Sequence, residues 1–353
     1  MKKFKDLHTR NLFEKESNLK IVRISRDDVL SHSDNFRLFS DQVIKHEELY
    51  PDIERWLKTK VCPGIRSDSR VAYLGLDNDK PVVSAILKKS NHAKICHLHI
   101  DEKLRDQHVG ELFFSMMALD VKRNSKEIHF TLPEDLWLSQ KDFFCSFGFQ
   151  DPNKARNQYR QDKNELQCSA PFEVVWESVL VKLPKIVTSL TKTADSIFSG
   201  ILMSIKPEHI EKIRCGEKVI EIRKKFNKKW AGCRMTVYSS SPDQAIYGYA
   251  KIQDVKKGSP EKIWSQYRQD IGVKKNVFDE YAGSCDQIYA ILLKDFEPYH
   301  NPISMLQIGG LLNQEELRPP QSYLSLMGNK GWSKAISVAE LLHKRFWVCQ
   351  TAV

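Results

Sequence analysis

The sequence predicts an α/β (α+β) protein built from two domains. Its 353 residues exceed what one hydrophobic core usually supports. Strand-like and helix-like hydrophobic periods alternate on both sides of a segment that contains Pro, Thr and Ser, residues 184–198. We therefore predict a first domain over residues 1–183, a linker over 184–198 and a second domain over 199–353.

The composition is that of a soluble globular protein, because 41% of the residues are hydrophobic and 28% are charged. No apolar run approaches the roughly 18 residues that span a bilayer, and the N-terminal residues lack a hydrophobic signal core. None of the eight cysteines forms a C-x-x-C pair, which favours reduced thiols and gives no sign of a metal cluster. We expect a cytoplasmic protein with no membrane segment and no bound metal.

The first domain is predicted to open with a strand at residues 20–25 and a helical region at 26–60. Two strands joined by a turn at 77–80 follow within residues 70–89. The rest is predicted as strand, helix, strand, helix and strand, in that order. These elements are assigned to residues 93–101, 110–124, 126–132, 138–149 and 172–183.

Two motifs in this order of elements carry a resemblance. The first is the loop Arg105-Asp-Gln-His108-Val-Gly110 between a strand and a helix, and the second is "FFCSFGF" at residues 143–149. Over about residues 19–183 the chain resembles the GCN5-related N-acetyltransferase (GNAT) family, whose loop holds the pyrophosphate of acetyl-coenzyme A on backbone N–H groups and a helix N-terminus. The resemblance implies an acetyl-CoA site formed by Leu98, Ile100, Arg105, Gln107, His108, Val109, Gly110, Glu111 and Phe144.

The same resemblance suggests a catalytic group but leaves activity open. His97, His99 and Asp101 lie on the strand before the loop and are candidates for the general base that deprotonates an incoming amine. Phe144 occupies the place of the family's proton-donating tyrosine, and a phenyl ring has no proton to donate. The first domain is therefore expected to be either an N-acetyltransferase or a scaffold without catalysis.

The second domain is predicted to begin with a strand at 201–205 and a helix that starts at Pro207 and ends at Gly216. A predicted strand over residues 218–223 follows Gly216 almost directly. Its sequence, Gly216-x-Lys218-x-x-Glu221-x-Arg223, brings charges of both signs together beside a strand–helix–strand crevice.

This motif is similar to the Gly-x-Lys-x-x-Glu-x-Arg signature of the ASCH domain, a small β-barrel related to the PUA RNA-binding fold, and the similarity extends over about residues 201–327. The resemblance implies an RNA or nucleotide site. Its candidate residues are Lys206, Lys218, Glu221, Arg223, Lys224, Lys225 and Tyr238.

Two alternatives remain at this point. Glu221 and Arg223 on a solvated strand face would form an ordinary surface pair. A nucleoside hydrolase is disfavoured, because the hydrolases of the family carry a threonine where Glu221 stands. The net charge of +10 is concentrated near the motif, where residues 206–234 contain ten basic and four acidic side chains, as a phosphate-binding surface would.

Overall fold

The computed structural model describes residues 19–47, 52–155, 163–190, 197–312 and 317–347. The chain divides into two compact units, residues 1–192 together with 344–353, and residues 193–343. We refer to them as the N-terminal and the C-terminal unit. No helix within the described residues is long and apolar enough to cross a bilayer.

The N-terminal unit is built on a seven-stranded sheet in the order β1-β2-β3-β4-β5-β7-β6. Its strands are β1 (Leu19–Arg23), β2 (Arg70–Asp77), β3 (Lys80–Lys88), β4 (His92–Ile100), β5 (Glu127–Pro133), β6 (Asn153–Lys154) and β7 (Glu165–Pro171). Its helices are α1 (Arg26–Ser31), α2 (Asp34–Ile44), α3 (Ile53–Trp56), α4 (Cys62–Arg66), α5 (Val109–Val121), α6 (Glu134–Cys145) and α7 (Phe172–Leu190). A π-helical turn, Leu57–Val61, joins α3 to α4, so the region predicted as helical is several short helices.

The sheet is split between its two central strands. β4 and β5 are parallel, but they pair only over His92–Lys94 and Glu127–His129. Beyond this point β4 stays paired with β3 and β5 with β7, so a wedge opens between β4 and β5. The wedge lies toward the carboxyl ends of the strands, where α5 begins, which is the usual place for a ligand in an open α/β sheet.

The strand predicted for residues 172–183 is wrong, because this segment is the first part of helix α7. Six of its side chains are fully or nearly fully buried at helical spacing: Phe172, Val175, Trp176, Val179, Leu180 and Leu183. Valine-rich runs of this length fit a strand or a helix equally well, and the closing strand, β7, directly precedes them. The predicted domain limit at residue 183 therefore falls inside α7, and residues 191–196 of the predicted linker lie outside the described residues.

The C-terminal unit has a six-stranded mixed sheet in the order β13-β8-β10-β11-β12-β9. Its strands are β8 (Ile201–Ile205), β9 (Ile220–Arg223), β10 (Arg234–Ser239), β11 (Ala245–Gly258), β12 (Ile288–Ser304) and β13 (Tyr323–Ser325). Its helices are α8 (Pro207–Arg214), α9 (Pro260–Tyr267), α10 (Lys275–Ala282), α11 (Met305–Gly309) and α12 (Lys330–Trp347). Three register shifts interrupt the long β11–β12 pair and bend the sheet. The predicted fold class, α/β (α+β) with a mixed sheet and helices in the first domain and a small β-barrel with helices in the second, is confirmed.

Helix α12 is fixed to this sheet by a buried carboxylate. Glu340 is 1% exposed, and its Oε1 lies 2.5 Å from Arg234 Nη2 and 2.6 Å from the hydroxyl of Tyr299, which donates to it. The Arg234 guanidinium also lies over the ring of Tyr249, 3.4 Å from its centroid. A charge this deeply buried is tolerated only because its partner is present.

We predict that Glu340→Ala lowers the free energy of unfolding by about 3–5 kcal/mol, because it leaves the Arg234 charge buried without its carboxylate. Urea denaturation followed by tryptophan fluorescence measures the change. Asp279→Ala is the control: it removes an exposed pair with Lys275 and should cost at most about 1 kcal/mol. Equal losses in the two variants would contradict the assignment of Glu340 as the buried anchor of α12.

Candidate functional site

The charged motif lies at a close approach of two chain segments. Gly216, with φ of +76°, follows the C-cap of α8 and turns the chain into β9, a conformation that favours glycine. The N–H groups of Val219 and Ile220 both donate to the carbonyl of Asp270. Gly272, with φ of +70°, faces the Lys218 side chain so closely that a Cβ on Gly272 would lie 2.9 Å from Lys218 Cβ. The motif is thus held against the loop that precedes α10.

Lys218, Glu221 and Arg223 form a buried ionic triad. Glu221 is 4% exposed; its Oε2 lies 3.2 Å from Lys218 Nζ and its Oε1 lies 3.2 Å from Arg223 Nη2. Lys218 Nζ also donates to the carbonyls of Ile220 and Ile271, at 2.8 Å each. The surface-pair alternative is therefore wrong, because the carboxylate is enclosed and doubly paired.

Arg223 has a further role at the edge of the triad. Its Nη2 donates to the carbonyl of Ser204 at 2.6 Å, which links β9 to the end of β8. Its Nε is buried and has no hydrogen-bond partner among the described residues. The triad thus contains a guanidinium N–H whose hydrogen-bonding capacity is unused.

The electrostatics keep the triad charged and a neighbouring imidazole neutral. Burial alone would raise the pKa of Glu221, but Lys218 and Arg223 outweigh it and hold this pKa below its usual value. Burial, followed by the Lys218 charge, lowers the pKa of His209 on α8. Two cations therefore face one anion, and the floor of the site carries a net positive charge at neutral pH.

The triad forms the floor of a cavity of about 620 Å³ between α8, β9 and α10. This volume lies in the usual range of about 300–1,000 Å³ for small-molecule sites. The cavity is lined by Ser204, Lys206, Glu208, His209, Lys218, Glu221, Ile222, Arg223, Lys224, Ser240, Ile271, Val273, Val277, Phe278, Glu280, Tyr281 and Gln321. Its walls thus combine positive, acidic and aromatic side chains.

Five of the seven residues predicted for this site line the cavity: Lys206, Lys218, Glu221, Arg223 and Lys224. Lys225 is exposed and follows them along the chain, outside the lining. Tyr238 does not fit its predicted role as a stacking residue, because it is 2% exposed and its ring packs edge-on against Trp332 of α12. A base has no access to this ring.

Sequence reasoning missed several lining residues from outside the motif. They are Ser204, Glu208, His209, Ser240, Val277, Phe278, Tyr281 and Gln321. His209 could have been predicted from the sequence, since it lies in the first turn of the helix that follows Lys206. Tyr281 had none, because the fold brings it to the motif from about sixty residues away in the sequence.

In the N-terminal unit the three candidate bases lie in different environments. His97 is 3% exposed and hydrogen-bonded to the Ser84 hydroxyl at 2.8 Å, and burial, with nearby His99 and His46, lowers its pKa to about 3. It is therefore a core residue, and the prediction that it acts as a base is wrong. His99 is partly exposed, stacks on His46 with ring centroids 3.6 Å apart, and has Nε2 3.4 Å from Asp101 Oδ1.

The predicted pyrophosphate loop connects β4 to α5. His108, with φ of +59°, occupies the N-cap of α5, and no side chain caps the helix there. Its Nδ1 lies 2.9 Å from Glu111 Oε1. Arg105 is half exposed and forms an ion pair with Glu102, and Gln107 donates to the carbonyl of Lys103.

The other residues predicted for this loop site lie beside an aromatic cluster. Leu98 and Ile100 belong to the part of β4 that has separated from β5. Gly110 faces Phe143, whose ring would lie 3.3 Å from a Cβ at residue 110. Phe144 stacks between Phe130 and Trp137, with centroids 4.5 and 5.9 Å away, and is therefore part of the packing of α6.

Comparison with known proteins by sequence gives a match to one family model and a match to a ribonuclease. Residues 198–311 match a family model described as "Domain of unknown function (DUF365)". Over 121 residues the chain is 25% identical to an ASCH domain-containing ribonuclease from Zymomonas mobilis, a match that covers 34% of this chain and 80% of that relative.

Among the described residues, no group of His, Cys, Asp and Glu could hold a metal ion.

Solved structures repeat the likeness to ASCH and add a second one, to acetyltransferases. The crystal structure of ASCH from Zymomonas mobilis matches at 24% identity and a TM-score of 0.36, over 40% of this chain and 95% of that one. A structure assigned to the GNAT family of acetyltransferases, from Desulfovibrio desulfuricans, matches at 10% identity and a TM-score of 0.32, over 44% of this chain and 99% of that one. The chain is similar both to ASCH proteins and to GNAT structures, the two families that its motifs resemble.

The buried state of His97 has a measurable consequence. Its pKa of about 3 in the folded protein lies below the usual value of about 6.5 in the unfolded chain, so between these values the unfolded chain alone binds the proton. This contribution to stability is complete above about pH 6.5 and falls as the pH is lowered. We predict that His97→Gln reduces the slope of unfolding free energy against pH between pH 4 and 6 by about 1.4 kcal/mol per pH unit.

Urea unfolding of both proteins across pH 4–8 measures the two slopes. Above pH 7 the slopes should coincide, since neither state then protonates residue 97, and this range serves as the internal control. Identical slopes between pH 4 and 6 would show that residue 97 is accessible to protons in the folded protein.

Proposed function

We propose that the C-terminal unit binds RNA or a nucleotide in the cavity above the Lys218–Glu221–Arg223 triad. The observation that carries the proposal is the convergence of two cations and one ionised carboxylate at the floor of a nucleotide-sized cavity. Arg223 lines the cavity, and its guanidinium suits a phosphate or a base carbonyl. Glu221 suits the N–H groups of a base edge.

The rim of the cavity supports a ligand with a phosphate backbone. Lys206 and Lys224 line the opening, and Lys225 lies next to them in the sequence and is exposed. Exposed lysines at such a rim attract the phosphates of a nucleic acid without distinguishing one base sequence from another. The relative from Zymomonas mobilis is a ribonuclease, which favours RNA over DNA as the ligand of this cavity.

A nucleoside hydrolase remains the weaker alternative for the same cavity. Glu221 is pinned between two cations and its lowered pKa keeps it ionised, so it is not available as a general acid. The position also lacks the threonine hydroxyl expected for such chemistry. The geometry therefore favours binding over hydrolysis at the triad.

For the N-terminal unit we propose acetyl-CoA as the ligand. Two observations favour it: β4 and β5 separate to leave a wedge, and the first turn of α5, with no side-chain cap, opens at the end of that wedge. The N–H groups of a free first turn suit a pyrophosphate. Transfer of the acetyl group to an amine is the associated activity, with His99 and Asp101 as the remaining candidates for the general base.

The alternative, a scaffold without catalysis, is favoured by Phe144, which has no proton to donate and packs in the aromatic cluster.

We predict that Arg223→Ala weakens binding of single-stranded RNA about 10- to 150-fold, because it removes a charge-assisted contact from the floor. Lys225→Ala should weaken binding less and lower the slope of log K against log salt by about one ion, as a phosphate contact does. Filter binding at two salt concentrations measures both effects. Lys141→Ala, an exposed lysine of the N-terminal unit, is the charge-matched control. RNA affinity that Arg223→Ala leaves unchanged would overturn the cavity proposal.

We predict that the full-length protein binds coenzyme A in isothermal titration calorimetry, and that Gly110→Val abolishes the heat. A Cβ at residue 110 already approaches the Phe143 ring to 3.3 Å, so the larger valine side chain must displace that ring or the first turn of α5. A ligand that binds the folded state must raise its melting temperature, so thermal unfolding provides a second readout. Absence of both heat and stabilisation at millimolar coenzyme A would exclude the acetyltransferase proposal and leave the scaffold alternative.

A further inference from the structure

Helix α10 presents two apolar side chains on its outer face, beside the cavity. Phe278 and Ala282 are buried in the core beneath the helix, at the expected helical spacing. Val277 and Tyr281 are also four residues apart, lie about 100° round the helix from this buried pair, and are 46% and 39% exposed. Both line the cavity. The buried face of α10 already packs against the core, so Val277 and Tyr281 contribute little to the packing of the helix.

The outer pair lies within a positively charged rim. Lys224 Nζ is 5.4 Å from the centroid of the Tyr281 ring, and both residues line the same cavity. Lys225 follows Lys224 directly and is exposed. Lys224 lies over the Tyr281 ring in a cation–π contact, so an exposed aromatic surface for a nucleobase and a cation for its phosphate occur together.

We propose that Val277 and Tyr281 form a stacking platform for the nucleobase next to the one in the cavity, with Lys224 at the phosphate between them. The ligand class is then a single-stranded RNA segment of at least two nucleotides, in place of a free nucleoside or mononucleotide. This inference rests on the proposed function of the cavity. The charge of the rim and the continuity of the platform with the cavity favour RNA over a protein segment as the occupant.

The experiment compares ligand lengths in the full-length protein. Affinities for a ribonucleoside monophosphate, a dinucleotide and a single-stranded hexanucleotide are measured by competition against a fluorescent RNA. We expect Tyr281→Ala to weaken hexanucleotide and dinucleotide binding about 5- to 150-fold, the range for losing one stacked base. Mononucleotide affinity should change by less than about twofold, and Tyr281→Phe, which keeps the ring, should bind like wild type.

Leu306→Ala is the control. Leu306 is also an exposed apolar side chain of the C-terminal unit, but it does not line the cavity, so its substitution should leave the affinity for every length unchanged. Circular dichroism melting verifies that each variant is folded.

The outcomes separate the platform from the cavity. Equal losses for the mononucleotide and the hexanucleotide would overturn the platform and make Tyr281 a wall of the cavity itself. No loss at any length would overturn it too. The cavity proposal is judged separately by Arg223→Ala, which should weaken ligands of all three lengths. Absence of binding by the wild-type protein at all three lengths would overturn both proposals together.

Discussion

The candidate site depends on one constraint, which is that the carboxylate of Glu221 is buried and must be paired. A buried charge with one partner removed costs about 3–5 kcal/mol, so Lys218 and Arg223 cannot be optional. Both cations are in turn fixed by backbone carbonyls, Lys218 by Ile220 and Ile271 and Arg223 by Ser204. The triad therefore joins β8, β9 and the loop before α10. The shape of the cavity and its positive floor are consequences of the same pairing.

The sequence predicted the floor of the site better than its walls, and the reason is distance along the chain. Lys218, Glu221 and Arg223 lie within six residues, so a local motif reports them together. The platform residues Val277 and Tyr281 reach the cavity through the fold, and the α10 pattern alone assigns them only to an outer face. An apolar residue on an outer face is common and carries no signal by itself.

The errors in individual residues also have physical causes. The resemblance implies Tyr238 as a ligand contact, but both faces of β10 are buried and Trp332 of α12 covers the tyrosine. His97 and His99 do share a face, since both rings lie near His46, but His97 is covered there and is hydrogen-bonded to Ser84. Alternation predicts which residues share a face, but it does not predict what covers that face. The order of elements was more reliable, apart from the valine-rich segment that became α7.

The pairing that stabilises the cavity also limits its chemistry. An ionised Glu221 held by two cations is a strong acceptor but a poor proton donor. Lys218 donates to two backbone carbonyls and is ion-paired with the carboxylate, so its ammonium is largely engaged within the fold. The Arg223 guanidinium lines the cavity, and the floor keeps a net positive charge. An anionic ligand relieves that charge without disturbing the pairs beneath it. Recognition at this site is thus expected to come from Arg223 and the rim, while Lys218 and Glu221 keep the guanidinium in position.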